Sequence, residues 1–311
     1  MPKLPTRQFQ QMVPLLREEG FYEHKELREI SWPEYNLSQI NEAKEMLTFI
    51  RRSVDSCVLI SRKGVGRPLT DARSLAKAVL LCEFLGFTER SAESWVDILG
   101  PFLGIYEHLD DRVIGEAYGR VEVLYILKQV FEMSKTSDGK LSGDGTGLET
   151  SRKQNYENNK KSGEYMTSIV DSREIVQAFD ISGKQECRIM FKLLEEVEGD
   201  SLRLDAGFVC RELVRLIDER GMLPYVFPKS NTKLNGSLAW KLMYLELYYD
   251  VWQWLKEYHQ RSHSESFHSS FKRKNRILQK LRPTCQLGQI TTRIIIHNQR
   301  KQQYYKRIHP N

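Results

Sequence analysis

Near residue 137 of this 311-residue chain the hydrophobic period changes from one that suits helices to one that suits strands. Before that point apolar residues recur three and four apart, with almost no strand-like alternation. Thr70 is placed to cap a helix over Asp71–Leu85 in which Leu75, Val79, Cys82 and Leu85 share a stripe, and Gly86 to stop it. A second helix is expected from Thr88 to Leu99, closed by Gly100-Pro101, and a third from Asp110 to about Met133. The Gly64–Pro68 stretch reads as a connector ahead of them. The expectation is an all-helical domain over residues 1–137, ended by a polar Gly/Ser/Asp linker.

Strands follow the linker. Residues 141–148 carry Asp144 among glycines, and Tyr165–Val170 and Glu174–Ile181 alternate about the turn residues Asp171-Ser172-Arg173. An amphipathic helix over Gln185–Val197, a strand over Leu202–Asp205, a helix over Val209–Arg220 and a strand over Leu223–Phe227 come next. A long helical region from about Ser237 to Gln279 closes the series. Three strands, then helix, strand, helix, strand and helix, predict an α/β domain over residues 138–311, a mixed sheet with flanking helices.

Five scattered cysteines without a Cys-x-x-Cys pair argue against a zinc ribbon or a disulfide framework and suit reduced thiols. The apolar stretches are too short to span a bilayer and no leader pattern opens the chain, so an intracellular, cytoplasmic protein without a membrane partner is expected. The net charge of +6 is unevenly spread: residues 266–311 hold eleven Lys or Arg and no Asp or Glu, leaving the remainder net acidic. Isoleucines and tyrosines in that segment indicate a folded basic surface rather than a solvated tail. A polyanion partner, most simply nucleic acid, follows.

Three carboxylates carry the chemistry. Counted at about 100° per residue along a continuous helix, Tyr258, Arg261, Glu265 and Lys272 fall on one narrow face. Such a stripe suits a phosphate backbone led to a metal site, since Arg offers a planar fork and Lys a point charge. It equally suits an exposed face with an Arg261–Glu265 ion pair. Asp144 and Asp205 sit on expected strands, where a carboxylate is costly unless paired or bound to a cation. Taken singly, the first is also a turn aspartate and the second a helix N-terminal acid; together with Glu265 they favour hard oxygen donors for Mg2+. His259 and His263 lack the glutamate of a zinc protease, and the glycines around Asp144 lack the Gly-Lys-Ser/Thr ending of a nucleotide loop. The polar stretch holding Arg152, Lys153, Lys160 and Lys161 reads as a backbone-contact loop or a solvated one.

With its spacing Tyr258-x2-Arg261-x3-Glu265-x6-Lys272, the chain resembles the DDE transposases of prokaryotic insertion sequences. Gly143-Asp144-Gly145-Thr146 and Leu204-Asp205-Ala206-Gly207-Phe208 match the settings of the first and second acids, so the resemblance covers about residue 138 to the C-terminus. Gaps of 61 and 60 residues between the acids leave no room for a large insertion. The resemblance implies a ribonuclease H-like fold and two Mg2+ ions, or Mn2+ in their place, held by Asp144, Asp205 and Glu265. It further implies cleavage at transposon ends followed by attack of the freed 3′ hydroxyl on target DNA. By the same carry-over Tyr258, Arg261 and Lys272 contact DNA near the cleaved bond. The partners implied are double-stranded DNA and a second copy of the chain, at the nucleoid, with the N-terminal helices serving end recognition or dimerisation. The alternatives are a non-catalytic DNA-binding protein derived from a transposase, and a simple nuclease of the same fold.

Overall fold

The computed structural model describes residues 6–18, 29–60, 70–155, 160–181, 186–274 and 277–309. Gly64–Pro68 lies outside the described residues, as do the side chains of Arg152, Lys153, Lys160 and Lys161. The chain divides into two compact units interleaved in sequence. The first comprises Met1–Glu29, Ser137–Gly147 and Glu164–Ser270; the second comprises Ile30–Thr136, Leu148–Gly163 and Phe271–Asn311.

The protein is a mixed α/β structure. Strands β1 (Lys140–Asn155), β2 (Lys160–Val170), β3 (Val176–Asp180), β4 (Ser201–Leu204) and β5 (Leu223–Val226) are ordered β3-β2-β1-β4-β5. β2 and β3 form the antiparallel hairpin expected about Asp171, whose carboxylate accepts the Ile175 and Arg173 backbone N–H groups at 2.8 and 3.0 Å. β1, β4 and β5 are mutually parallel, as the intervening helices α7 (Glu186–Leu194) and α8 (Arg211–Glu219) require.

On β1 and β4 the pleat sorts side chains by face. Leu141, Leu202 and Leu204 are fully buried in the core of the first unit with Met190 and Leu193 of α7 and Leu213 and Ile217 of α8. A Cβ on Gly143 would lie 2.7 Å from Leu204 Cδ2 and 2.8 Å from the Met190 methyl, so glycine lets α7 sit close to the sheet. α1 (Thr6–Glu18) joins this unit, with Phe9 5.2 Å from the Tyr244 ring.

The expected long helix is broken. α9 (Leu238–Tyr249), α10 (Val251–His259) and α11 (Ser262–Lys274) replace it. Asp250 ends α9 and caps α10, accepting from Gln253 N at 3.2 Å, and the chain turns again at Gln260 and Arg261. The uniform angular count from Tyr258 to Lys272 therefore fails, because the chain leaves the helix at Gln260 and Arg261, where the backbone bonds tighten to Gln260 N–H on Glu257 O and Arg261 N–H on Tyr258 O.

The second unit is helical apart from strand pairing: the distal half of β1 runs parallel to β6 (Ile277–Leu278). Its helices are α2 (Trp32–Ser56), α3 (Ala72–Leu85), α4 (Glu89–Leu103), α5 (Asp111–Ala117), α6 (Val121–Met133) and α12 (Pro283–Ile308). Asp71 rather than Thr70 caps α3, accepting from Ser74 N at 2.9 Å. α4 runs through Gly100-Pro101 and ends one turn later at Gly104, whose φ of 75° favours glycine. The expected third helix is split into α5 and α6 around Gly119.

α12 is unusual in burying polar side chains. Glu83 of α3, 8% exposed at its side chain, receives Arg293 Nε at 2.6 Å, Gln289 Nε2 at 2.8 Å and the Tyr118 hydroxyl at 2.9 Å. Arg300 and Arg307 pair with Glu42 and Glu45 of α2, and Lys280 with Glu89. At least four of the eleven cations in the acid-free segment are thus neutralised by upstream acids, which a count along the sequence does not reveal.

Candidate functional site

β1 and β4 are adjacent and parallel, with Gly143 opposite Leu204. The next residues on each are Asp144 and Asp205, on strands separated by about 4.8 Å. Both directly follow the paired stretch of the two strands, Lys140–Gly143 on β1 and Ser201–Leu204 on β4, although β1 itself continues to Asn155. Asp144 Oδ1 accepts the Gly145 N–H at 2.8 Å, while Asp205 caps a single 3-10 turn, Ala206–Phe208, through the Gly207 N–H.

The polar pleat face is held by α10 and α11. Ser142 Oγ donates to Gln260 O at 3.2 Å. Arg203 of β4, 1% exposed, donates to Glu257 Oε2 at 2.7 Å, to Glu257 O at 2.9 Å and to Ser201 Oγ at 2.9 Å. Its guanidinium also lies 5.5 Å from the Tyr225 ring centre. These bonds fix the end of α10, and hence the start of α11, over the two aspartates.

Glu265, in the first turn of α11 and half exposed, pairs with Arg261 NH2 at 2.5 Å. Asp144 is drawn above the ordinary carboxylate range, first by burial and further by the charges of Asp205 and Glu265; Gly145 N–H and Arg261 act against the rise. Burial opposes the charge on Arg261, but Tyr258, Glu265 and Asp144 outweigh it and hold the group protonated. Asp144 therefore feels the charges of Asp205, Glu265 and Arg261 together, and Arg261 is paired directly with Glu265. Among the described residues, no three His, Cys, Asp or Glu side chains are gathered closely enough to hold a metal ion.

Tyr258 departs from its expected role. It is 4% exposed, stacked on Trp254 at 5.3 Å and packed on Phe227 at 5.2 Å, with Arg261 5.9 Å from its ring centre. It backs Arg261 instead of offering a face to DNA. Lys272 lies further along α11, where the chain has passed into the second unit.

Sequence reasoning missed His268. Buried on α11, it places Nε2 2.9 Å from Ser168 Oγ on β2 and Nδ1 3.7 Å from Asp144 Oδ2. Its only signal in the sequence is its place three residues after Glu265, one turn along the same helix face. Arg203 was legible in principle, as a charged residue alternating with Leu202 and Leu204 on an otherwise buried strand.

No protein-family model matches the chain, and no curated protein or solved structure matches it.

Proposed function

We propose that the chain is a DDE transposase that cleaves DNA at transposon ends and joins the freed 3′ hydroxyl to target DNA. The observation carrying this reading is the side-by-side placement of Asp144 and Asp205 on neighbouring parallel strands, with Glu265 close enough to raise the Asp144 carboxyl. The sheet flanked by helices agrees with the ribonuclease H-like fold that the reading requires.

The donor set fits Mg2+ by its chemistry, because hard carboxylate oxygens crowded against one another are relieved by a divalent cation. Asp144 and Asp205 would hold it, and Glu265 would complete the set on leaving Arg261. A bound ion supplies activation of the attacking oxygen and stabilisation of the leaving one. Arg261, released from Glu265, is then placed to grip a phosphate oxygen, and His268 keeps Asp144 from turning away from Asp205. Pairing of two DNA ends by two copies of the chain belongs to the same reading.

The test is incubation of the protein with labelled DNA carrying the ends that flank its own gene, with Mg2+ or Mn2+, comparing wild type with Glu265→Gln. End cleavage and strand joining, lost in the variant, support the proposal. Cleavage without joining indicates a nuclease of the same fold. The Arg261–Glu265 pair and the absence of a gathered three-donor group among the described residues favour a second reading, a DNA-binding protein without catalysis. Binding without nicking by either protein would establish it.

A further inference from the structure

We propose that the groove between α2 and α12 in the second unit is a binding site for the phosphodiester backbone of DNA, sharing no residue with the acids of the first unit. A cavity of about 770 Å³ opens there, and a second of about 710 Å³ adjoins it through Lys44, Thr48, Arg52 and Ser56. The lining is rich in donors and in positive charge. The two acids on it are already neutralised: Glu45 by Arg307, and Asp55 by Lys77 at 2.6 Å. Lys44, Arg52 and Lys306 are exposed and have no ion-pair partner among the described residues.

Two buried donors on the same lining point independently to an acceptor ligand. Gln303 is 4% exposed and its Nε2 meets no hydrogen-bond acceptor, and the same is true of Arg307 Nε. A buried donor left unpaired is costly, and an anionic oxygen entering the cavity removes that cost at both atoms. Guanidinium, ammonium, amide and hydroxyl donors in one groove match phosphate oxygens better than an apolar peptide.

The spacing favours a strand backbone over a single anion. Lys44 and Arg52 are eight residues apart on α2, about 12 Å along its axis. At about 3.4 Å of rise per nucleotide that distance covers three to four phosphates of one strand. The inference rests on the second unit alone and stands whether or not Asp144, Asp205 and Glu265 cleave DNA.

The experiment measures anisotropy of a labelled random-sequence duplex of about twenty base pairs across a salt series, in EDTA. Arg52→Ala/Lys306→Ala removes two exposed cations without taking a partner from any other group. The salt slope is expected to fall by about 1.8, or about 60-fold weaker binding at 0.1 M salt if both proteins converge at 1 M. Lys44→Ala alone should lower the slope by about 0.9, giving a second reading should the double variant melt early. Unchanged slopes, no duplex binding by wild type, or capture of inorganic phosphate with no duplex binding would each overturn the proposal.

Discussion

Glu257→Ala tests whether the acid-bearing strands are held to α10 as described. The substitution removes the carboxylate that faces Arg203, a guanidinium 1% exposed on β4, two residues before Asp205. Breaking a fully buried ion pair from one side costs about 3–5 kcal/mol, because the remaining charge has lost its compensation in a poorly solvated place. Glu257 is 26% exposed, so water reaches part of the vacated position. Arg203 also keeps its bonds to Ser201 Oγ and Glu257 O and its place beside the Tyr225 ring. Both points put the cost near the lower limit, about 3 kcal/mol, equivalent to about 6–12 °C in Tm. Urea titration followed by circular dichroism and by tryptophan fluorescence measures it, with Trp254 on α10 as a nearby reporter. Replacing both partners, as in Arg203→Met/Glu257→Leu, should recover most of the loss, since neither charge is then stranded. A loss below about 1 kcal/mol in Glu257→Ala would refute the reasoning, because Arg203 would then be solvated without its partner.

Asp144→Asn should raise the melting temperature of the metal-free protein, by a stabilisation of about 0.5–2 kcal/mol, since it removes a charge that burial, Asp205 and Glu265 all disfavour; a lower Tm would contradict that electrostatic picture. His268→Ala should cost about 1–3 kcal/mol by stranding Ser168 Oγ beside a buried void and, on the proposed function, should slow DNA cleavage as well, whereas Ser168→Ala should affect stability alone. Burial pushes the Asp171 carboxyl up to about 6, outweighing its bonds to Ile175 and Arg173. Its folded value exceeds its unfolded one, so its contribution is favourable below about pH 4 and is lost as the pH rises through about 6, by about 3 kcal/mol. The difference between wild type and Asp171→Asn across that window is the observable, and parallel stability curves would count against it. A Cβ at Gly288 of α12 would lie 2.0 Å from Tyr118 O, a backbone atom that cannot swing aside. Gly288→Ala should therefore destabilise the second unit by about 3 kcal/mol, and a melt unchanged from wild type would show that α12 shifts freely.

Alternation found β2, β3 and the hairpin turn at Asp171, because a half-buried sheet imposes its period on the sequence, while β1, β4 and β5 were found as short segments between turn and helix signals, β1 running on to Asn155 beyond its expected end at 148. Asp144 and Asp205 were legible as carboxylates on expected strands, the first among glycines and the second directly after Leu204. What lay outside the reach of periodicity was decided by single hydrogen bonds. Asp250 and Gln260 interrupt a run of good helix formers, and only the cap contact at Gln253 N distinguishes Asp250 from another exposed acid. His268 is invisible to spacing rules because its partners, Ser168 and Asp144, come from two strands far away in sequence.

Charge was misleading in an instructive way. The acid-free stretch from residue 266 suggests a basic surface, yet Arg293, Arg300 and Arg307 turn inward along α12 to meet Glu83, Glu42 and Glu45. Those pairs use the net acidic character of the earlier sequence to fasten α12 to α2 and α3. Among the described residues, the exposed cations left without an acid include Lys306 on α12 and Lys44 and Arg52 on α2. A polyanion would therefore be met by a groove built from both ends of the sequence. Removing Lys306 alone should then weaken duplex binding no more than removing Lys44 alone. Equal losses at the two positions would argue for one continuous track, and a loss confined to Lys306 would return the interaction to the C-terminal segment by itself.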